Sequence, residues 1–435
     1  MNNLKRKLEE KQAVLGVIGL GYVGLPLAVE KARAGFKTIG FDVQKARVGL
    51  VNSGVNYIGD VISEDLAALV KSGQLRATTD MEEFSRIDCA CICVPTPVDI
   101  YKQPDTTYIK ATAESIKPYL RKSMLIVLES TTYPGTTEDL LKPILESTGL
   151  KCGEDFYLAF SLERVDPGNA IYKTSNTPKV VGGVTEKCTE IAAALYESIL
   201  AAPVHRVSSP AVAEMEKILE NIYRHVNIGL INEMAILADR MGINIWEVIE
   251  AAQTKLYGFQ AFYPGPGLGG HCIPLDPCYL SWKAREFEFH TSMIESSAMI
   301  NERMPEYVVE RAKKILNRDR KALNGSKVLV LGVAYKQDID DYRESPALRV
   351  IEELQKDGAE VKYFDPHVGQ FQKNSLSMQS EPELTAELLE GMDIVLVTAA
   401  HTTVDYELVQ RHARHVFDTK NAMKGLKERG NIELL

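Results

Sequence analysis

The residues best suited to chemistry lie in the segment YPGPGLGGHCIPLDPCY, from Tyr263 to Tyr279. Its four glycines and four prolines predict a fixed irregular loop, because both residue types interrupt regular elements. The glycines permit close approach of a ligand to the backbone, and Cys272 lies where a thiolate could attack that ligand. An ordinary loop cysteine fits the same spacing, so the residues alone leave both interpretations open.

A second group of residues is typical of a dinucleotide site. Gly19, Gly21 and Gly24 form GLGYVG directly after an apolar strand and before a predicted helix. In this context the glycines supply a tight turn, close approach of a pyrophosphate and close helix-to-strand packing. Asp42 ends the next predicted strand, where a carboxylate would accept hydrogen bonds from a ribose and repel a 2′-phosphate. The pattern predicts NAD rather than NADP, although a glycine turn without a ligand remains an alternative.

The cofactor site is expected to extend along the carboxyl edge of the sheet, where ligands of such folds bind. Pro95 ends the predicted strand run CACICVP and Thr96 follows it, so both would lie there, unless they simply end a strand. The predicted cofactor-binding residues are Gly19, Gly21, Tyr22, Val23, Gly24, Asp42, Arg47, Pro95, Thr96 and Thr131.

The elements around these groups predict an α/β fold. The opening strand, glycine turn, helix and strand are followed by the strand-like runs CACICVP, MLIVLES and FYLAFS. A similar unit begins at Lys327, but its Gly332 is followed by VAYKQD rather than by more glycines, which favours a different nucleotide. We expect two Rossmann-like doubly wound domains joined by a long central helix or helical domain. The predicted domains span residues 1–208 for NAD binding, 209–315 for dimerisation and 316–435 for a second nucleotide.

The central helix is predicted from about Ser209 to Met241. Glu214, Lys217, Asn221 and Arg224 are spaced to fall near one face of this largely apolar helix. A helix that is apolar on several sides should be buried. We therefore expect it to pack against a second subunit, in a homodimer or a larger homo-oligomer.

Composition limits the functional classes. The formal net charge of -9 gives no overall attraction to nucleic acid or to an anionic membrane. No run of roughly 20 apolar residues and no signal peptide is evident, so a cytoplasmic protein is expected. The seven irregularly spaced cysteines predict reduced thiols. The alternating Cys89, Cys91 and Cys93 are interpreted as one face of a core strand rather than as metal ligands, and no metal site is expected.

The order of several motifs resembles the nucleotide-sugar 6-dehydrogenases of the UDP-glucose/GDP-mannose dehydrogenase family. The resemblance spans nearly the whole chain, through GLGYVGLP, ESTTYPGTT, FSLERVDPG, AEMEKILEN, PGPGLGGHCIPLD and GVAYKQDIDDYRESP. Leu275, where UDP-glucose enzymes typically have lysine, and the ESTTYPGTT segment resemble the branch that acts on UDP-N-acetylglucosamine. Leu162 departs from the usual proline, while Glu163 and Arg164 are retained.

The resemblance implies a four-electron oxidation of a C6 alcohol to a uronic acid with two NAD molecules and an aldehyde that is not released. Addition of the Cys272 thiolate to the aldehyde would give a thiohemiacetal, then a thioester that water hydrolyses. Lys217 and Thr131 would stabilise the oxygen at C6, with Asn221 one helical turn from Lys217. Asp276 would orient Lys217 or a water, and Glu163 would position water for hydrolysis. The implied catalytic residues are Cys272, Lys217, Asn221, Asp276, Glu163 and Thr131.

The same resemblance implies that the last domain binds a UDP-sugar. The expected substrate-binding residues are Glu163, Arg164, Lys217, Asn221, Arg224, Phe262, Gly265, Gly269, Lys336 and Arg343. Without that context, Lys217 is more typical of a solvated helix lysine, Glu163 and Arg164 of an exposed pair, and Arg343 of surface charge. His271 is interpreted as structural and is left out of the catalytic set. A neighbouring subunit is expected to add contacts near Lys255.

Several other functions stay open at this point. Within the family, UDP-N-acetylmannosamine, UDP-N-acetylgalactosamine and UDP-glucose are alternative substrates, because loop shape decides a single hydroxyl orientation. A two-electron dehydrogenase of small hydroxy acids would need neither Cys272 nor the last domain. A regulatory protein that binds NAD without catalysis would leave the cysteine, lysine and glutamate motifs unexplained.

Overall fold

The computed structural model describes residues 3–59, 61–164, 169, 171–270, 272–374 and 376–435. The chain divides into two compact units, one formed by residues 1–220 and 278–289 and the other by residues 221–277 and 290–435. Each unit contains a sheet whose strands are mainly parallel, and a long central helix follows the first sheet in the sequence. The predicted α/β class with two Rossmann-like sheets is confirmed, whereas the three domain boundaries stay predictions.

The first unit is built on an eight-stranded sheet. Its strands are β1 (Val14–Ile18), β2 (Lys37–Phe41), β3 (Leu75–Thr78), β4 (Cys89–Ile92), β5 (Leu125–Leu128), β6 (Tyr157–Ser161), β7 (Lys179–Gly183) and β8 (Val204–Val207). They lie in the order β3-β2-β1-β4-β5-β6-β7-β8, and β7 runs antiparallel to β6 while the other neighbours are parallel. Parallel neighbours bring the carboxyl ends of β1, β4, β5 and β6 to one edge of the sheet.

Helices cover both faces of this sheet, because strands as apolar as these must be buried on each side. Cys89 and Cys91 of β4 pack in one core layer with Cys93, whereas Ala90 and Ile92 pack in the other, which confirms the predicted core strand. The helices of the first part of the chain are α1 (Asn3–Glu9), α2 (Gly24–Arg33), α3 (Lys45–Asn52), α4 (Ser63–Lys71), α5 (Thr107–Ile116), α6 (Lys142–Glu146) and α7 (Glu186–Glu197). Short 3-10 turns lie at Met81–Arg86 and Lys117–Tyr119, and a π turn lies at Thr136–Leu141.

The predicted central helix is α8 (Pro210–Met241). Its buried side chains include the polar Glu214, Lys217 and Asn221. Seven of its apolar side chains are exposed in the single chain, and the packing against a second subunit that would bury them stays a prediction. They are Val212, Met215, Leu219, Tyr223, Leu230, Leu237 and Met241.

The second unit contains a five-stranded parallel sheet in the order β10-β9-β13-β14-β15 and a β11-β12 hairpin. The remaining strands are β9 (Lys327–Leu331), β10 (Glu360–Phe364), β11 (Gln370–Lys373), β12 (Leu376–Gln379), β13 (Ile394–Val397), β14 (Val416–Asp418) and β15 (Ile432–Leu434). The remaining helices are α9 (Ile245–Gln253), α10 (Cys272–Ala284), α11 (Ser292–Arg318), α12 (Pro346–Lys356), α13 (Ala386–Glu390) and α14 (Tyr406–His412), with a 3-10 turn at Arg285–Phe287. Helix α11 therefore continues past the boundary predicted at residue 315.

The cysteine segment is only partly a loop. The expectation of irregular structure as far as Tyr279 is wrong, because α10 begins at Cys272 and contains Pro277. Pro277 has no N–H to bond the carbonyl of Ile273 four residues earlier, which ordinarily disfavours proline in a helix. His225 Nδ1 donates to that carbonyl instead, at 3.1 Å. A tertiary hydrogen bond thus stabilises a helix that its prolines disfavour.

Among the helices that the structure describes, none combines the length and apolar character needed to cross a membrane.

Candidate active site

The first glycine turn has the geometry of a dinucleotide cradle. Gly19 adopts φ +89°, and a Cβ there would lie 2.6 Å from the Cys93 carbonyl oxygen. A Cβ on Gly24 would collide with the Gly19 oxygen, so the start of α2 packs directly on the turn. At Gly21, by contrast, a Cβ would meet no atom of the described residues within 4 Å. Two glycines are thus required by packing, and the third leaves space for a ligand.

Asp42 closes this turn from the end of β2. Its Oδ2 accepts the Leu20 N–H at 2.9 Å and lies 3.5 Å from an Arg47 nitrogen, and its Oδ1 accepts the Gln44 N–H at 2.8 Å. The predicted residues Asp42 and Arg47 are therefore brought together beside the glycines. The donor and acceptor groups fit NAD, with backbone N–H groups for pyrophosphate and a carboxylate for ribose hydroxyls. Tyr22 and Val23 lie within the turn, the first exposed and the second half-buried.

Thr96 and Thr131 meet at the carboxyl edge of the same sheet. Thr96 Oγ1 donates to the Thr131 carbonyl at 2.7 Å, and the Tyr279 hydroxyl donates to the Thr96 carbonyl. Thr96 is buried and Pro95 is exposed. The following Thr132 is buried and hydrogen-bonds the Thr136 hydroxyl at 2.7 Å, which gives part of the ESTTYPGTT motif a structural role.

Glu163 and Lys217 are joined through the backbone. Lys217 Nζ donates to the Glu163 carbonyl at 2.8 Å, and Lys217 is buried. The Arg164 guanidinium forms ion pairs with Glu216, at 3.2 Å, and with Glu220. Lys217 is thus not the solvated helix lysine that its sequence context alone would favour, and Arg164 does not form an exposed pair with Glu163.

Residues that were not predicted to belong to the site lie near Glu163 and the central helix. Lys179, the first residue of β7, donates to both Glu129 and Glu163. Buried Glu214 accepts from the N–H groups of Gly135 and Thr137, and burial raises its pKa to about 7 despite those hydrogen bonds. Glu129 and Glu214 stand within motifs quoted above, but spacing does not reveal their partners.

The cysteine helix begins in the second unit, and this first part of the helix carries an anchored carboxylate. Cys272 is half-buried and is the first residue of α10, and Asp276 follows it by four residues. The Asn221 amide donates to Asp276 Oδ2, and the Arg224 guanidinium donates to the Asn221 amide oxygen. Asp276 and Asn221 are buried, while Arg224 is exposed. His271 lies outside the described residues.

The glycines before this helix lie close to side chains from the last part of the chain. Gly265 N–H donates to Asn232 at 3.0 Å, and a Cβ on Gly265 would lie 2.6 Å from Lys420 Nζ. A Cβ on Gly269 would lie 2.7 Å from Tyr335 Cβ. Burial lowers the pKa of Lys420 to about 8, against the opposing effect of Asp418. Lys420 was not identified from the sequence, because its position beside the loop is tertiary.

The other predicted substrate residues have varied surroundings. Phe262 packs edge-on against Tyr223 with 5.6 Å between ring centroids. Lys336 is half-buried, and Arg343 is exposed and bonds both oxygens of Asp341 at 2.9 and 2.7 Å. The pairing of Arg343 resembles the surface-charge alternative more than a prepared phosphate site.

One group in the second unit has metal-ligand side chains, namely Asp338, His367 and His401. His401 already uses both ring nitrogens, because Nδ1 accepts the Asp338 N–H at 2.9 Å and Nε2 donates to Asp365 at 3.1 Å. A metal would have to displace those bonds, so we assign none there.

Three family models match consecutive parts of the chain. The NAD binding domain, central domain and UDP binding domain of the UDP-glucose/GDP-mannose dehydrogenase family match residues 13–200, 211–303 and 329–425. The chain belongs to the UDP-glucose/GDP-mannose dehydrogenase family. It is therefore an oxidoreductase that uses NAD and acts on a UDP-sugar.

Individual relatives are named for different sugar substrates. UDP-N-acetyl-D-glucosamine 6-dehydrogenase of Pseudomonas aeruginosa is 38% identical over 82% of this chain and 84% of its own. UDP-N-acetyl-D-mannosamine dehydrogenase of Methanocaldococcus jannaschii is also 38% identical, over 94% of this chain and 92% of its own. The solved UDP-D-ManNAc dehydrogenase of Pyrococcus horikoshii has a TM-score of 0.88 at 32% identity and covers 97% of this chain and 98% of its own. These three relatives are thus named for two different N-acetylhexosamines.

Proposed function

We propose that the protein oxidises the C6 alcohol of a UDP-N-acetylhexosamine, specifically UDP-N-acetylglucosamine, to the uronic acid through a covalent bond to Cys272. The observation that carries the proposal is the position of Cys272 at the first residue of a 13-residue helix, with Asn221 holding Asp276 one turn along. The partial positive charge at a helix N-terminus favours a thiolate, which is the nucleophilic form of cysteine.

Several groups of residues would take part in the reaction. Gly19, Gly21, Gly24 and Asp42 would hold NAD, which accepts hydride from the sugar carbon when bound. Lys217 would stabilise negative charge on the C6 oxygen, and Thr131 would help orient it. Cys272 would then add to the aldehyde carbon and retain the substrate while it becomes a thioester.

Asp276 and Glu163 would have separate roles in orienting groups and accepting protons. Asp276, fixed by Asn221, would orient Lys217 or a water molecule near C6. Glu163 would accept a proton from the water that hydrolyses the thioester. Lys336 and Lys420 would meet the diphosphate, since ammonium groups suit phosphate oxygens.

The choice of sugar rests on the relatives and on the cysteine segment. Leu275 and the P. aeruginosa relative favour the N-acetylglucosamine substrate, while the M. jannaschii relative keeps N-acetylmannosamine as the alternative. Absorbance of reduced cofactor should be followed with NAD and each of the UDP-sugars with N-acetylglucosamine, N-acetylmannosamine, N-acetylgalactosamine and glucose. We expect two NADH per molecule of UDP-N-acetylglucosamine. Turnover of UDP-glucose alone would contradict the branch assignment.

The covalent role of Cys272 is tested by C272S with C278S as its matched control. We expect C272S to form no uronate, because the serine hydroxyl is a far weaker nucleophile than a thiolate. C278S makes the same atomic change six residues along the same helix and should keep turnover within about 2-fold, since such small changes away from the chemistry have modest effects. Uronate formation by C272S with two NADH per sugar would rule out the covalent mechanism.

The assembly and cellular context are also proposed. The exposed apolar side chains along α8 support a homodimer or larger homo-oligomer through this helix. Seven free cysteines favour a reducing compartment such as the cytoplasm. The uronic acid product would suit the synthesis of surface polysaccharides. The three matched family models support the division into NAD-binding, central and UDP-sugar-binding domains.

A further inference from the structure

A buried ion-pair network lies next to Glu163 in the first unit. Lys179 Nζ donates to Glu129 Oε2 at 2.6 Å and to Glu163 Oε2 at 3.3 Å. The side chains of Lys179 and Glu129 are 5% and 0% exposed, whereas that of Glu163 keeps 14%. The lysine therefore connects an interior carboxylate to one that water reaches.

Sheet register explains why these residues meet. Glu129 directly follows β5, and Glu163 comes two residues after its parallel neighbour β6. In the antiparallel pair of β6 and β7, Ser161 faces Val181, so continuing this register by two residues places Lys179 opposite Glu163. The backbone thus delivers the ammonium to the same sheet edge as both carboxylates.

The interior end of the network is anchored by further polar groups. The Tyr196 hydroxyl donates to Glu129 Oε1, and Cys91 Sγ lies 3.6 Å from the same hydroxyl. Lys31 Nζ, which is fully buried, donates to Cys91 Sγ at 2.8 Å. Both carboxylate oxygens of Glu129 therefore accept hydrogen bonds, which fixes Glu129 as the buried partner of Lys179.

Electrostatics keep this lysine charged. Burial alone would lower the pKa of Lys179, but the carboxylates of Glu129 and Glu163 outweigh burial and raise it. Lys179 is thus an ammonium throughout the neutral range. A permanent cation beside Glu163 restricts the orientation of its carboxylate through a charge-assisted hydrogen bond.

Other contacts restrict Glu163 from different sides. Its Oε1 accepts the Arg164 N–H at 2.9 Å, and its carbonyl accepts from Lys217. The carboxylate is therefore held at each oxygen, with Lys179 as the charged donor. Removing the ammonium would leave one buried carboxylate and one partly buried carboxylate without this cation.

We propose that Lys179 is a positioning residue that holds Glu163 for hydrolysis of the thioester, with Glu129 as its anchor. The inference rests on the proposed function. In the step concerned, a water oxygen bonds to the thioester carbon and Glu163 takes one water proton. The C–S bond breaks with its electron pair on the Cys272 sulfur, and the uronic acid loses its remaining proton to solvent.

Lys179→Met tests this role. Loss of positioning should slow hydrolysis by about 10- to 100-fold, a part of the effect of a general base, while the hydride steps continue. After rapid mixing with NAD and UDP-N-acetylglucosamine, we expect a burst of two NADH per active site followed by slow turnover. Intact-mass spectrometry should then show the sugar nucleotide bound to Cys272. The KM for the sugar should not rise, and Lys179→Arg should restore turnover.

Lys187→Met is the matched control, because it removes an exposed lysine of the same unit whose ammonium lies 5.3 Å from the Tyr157 ring centroid. It should show wild-type turnover and no adduct. The double variant Lys179→Met/Glu129→Gln removes the unpaired interior charge and covers the case in which the single variant does not fold. It should accumulate the same adduct.

Two results overturn the inference. One is turnover of Lys179→Met at the wild-type rate, and the other is an equal loss of burst and steady-state rate without adduct. Wild-type protein that produces no NADH with any UDP-sugar would instead refute the proposed function on which the inference rests.

Discussion

The eight-stranded and five-stranded sheets contain the same backbone turn, but different side chains occupy the two turns. Gly19 and Gly332 each follow an apolar strand and adopt φ +89° and +85°. Each N–H donates to the last residue of the neighbouring strand, Gly19 to Phe41 at 2.8 Å and Gly332 to Phe364 at 2.9 Å. Each neighbouring strand is followed by an aspartate. The local fold is thus repeated even though the GxGxxG pattern is not.

The side chains make the two turns different. After Gly19 the chain has further glycines, whereas Gly332 is followed by the buried Val333 and Ala334. The aspartate of the last sheet, Asp365, accepts both of their N–H groups and a bond from His401 with Oδ2. Its Oδ1 accepts two more N–H groups, at 2.9 and 3.1 Å.

This comparison shows that a common turn does not by itself make a dinucleotide site. Gly21 leaves space in front of the first turn, while apolar side chains and a fully engaged carboxylate occupy the second. Asp42 is suited to accept hydrogen bonds from a ribose, whereas Asp365 is suited to stabilise the fold of the second unit. The following substitutions test this difference, from the largest expected effect to the smallest.

Gly19→Ala and Gly332→Ala should each destabilise their own unit by about 3 kcal/mol, because a Cβ at positive φ is strained and overpacks. The added Cβ would lie 2.6 Å from the Cys93 oxygen or from Ala399 Cβ. Only Gly19→Ala should abolish NAD binding by titration calorimetry.

Fluorescence can report each unit in turn, because Trp282 belongs to the first unit and Trp246 to the second. Each unit is followed in a protein that keeps only its own tryptophan, with the second tryptophan changed to phenylalanine. Gly19→Ala should lower the urea midpoint reported by Trp282, and Gly332→Ala should lower the one reported by Trp246. Loss of NAD binding by folded Gly332→Ala would contradict the distinction between the turns.

Asp365→Asn should destabilise the second unit by about 2 kcal/mol at pH 7, because it weakens charge-assisted hydrogen bonds in a buried site. Burial would raise the pKa of Asp365, but His401 and the backbone N–H groups outweigh burial and lower it. The lowered pKa contributes stability above the ordinary carboxyl value of about 3.9, and this contribution is lost as pH falls through the folded-state value.

Urea midpoints reported by Trp246 between pH 7 and pH 3 should therefore fall less steeply for Asp365→Asn than for the wild type. Asp42→Asn is the matched control and should leave the Trp246 midpoint unchanged. An identical pH dependence in wild type and Asp365→Asn would show that Asp365 does not stabilise the unit.

Gly21→Ala should have the smallest effect on the fold and a selective effect on the ligand. Since a Cβ at this position would have no described atom within 4 Å, the melting temperature should change by about 1 °C or less. The Kd for NAD should rise at least about 10-fold, because the methyl group occupies the space for the pyrophosphate. Gly425→Ala, equally unhindered, should change neither value. Unaltered NAD affinity in Gly21→Ala would argue against this turn as the pyrophosphate site.

Local patterns were reliable where a short segment contains its own physical cause. The alternation of apolar and small residues in β4 predicted a strand with three cysteines on one face, as the core layers show. The glycine turn and Asp42 were predictable because strand, turn and helix are contiguous. The local pattern was misleading at α10. Its two prolines indicated a loop, but His225, which is distant in the sequence, donates a hydrogen bond to the carbonyl of Ile273.

The amino-acid sequence by itself determined the fold class, the cofactor and the family, because these depend on contiguous patterns and on motifs in a fixed order. Only the tertiary structure revealed Lys179 beside Glu163, since the antiparallel direction of β7 leaves no mark in the local pattern. The same holds for Lys420 beside Gly265 and for the half-exposed face of α8. Such pairings join residues far apart in the chain, and strand direction, register and packing bring them together.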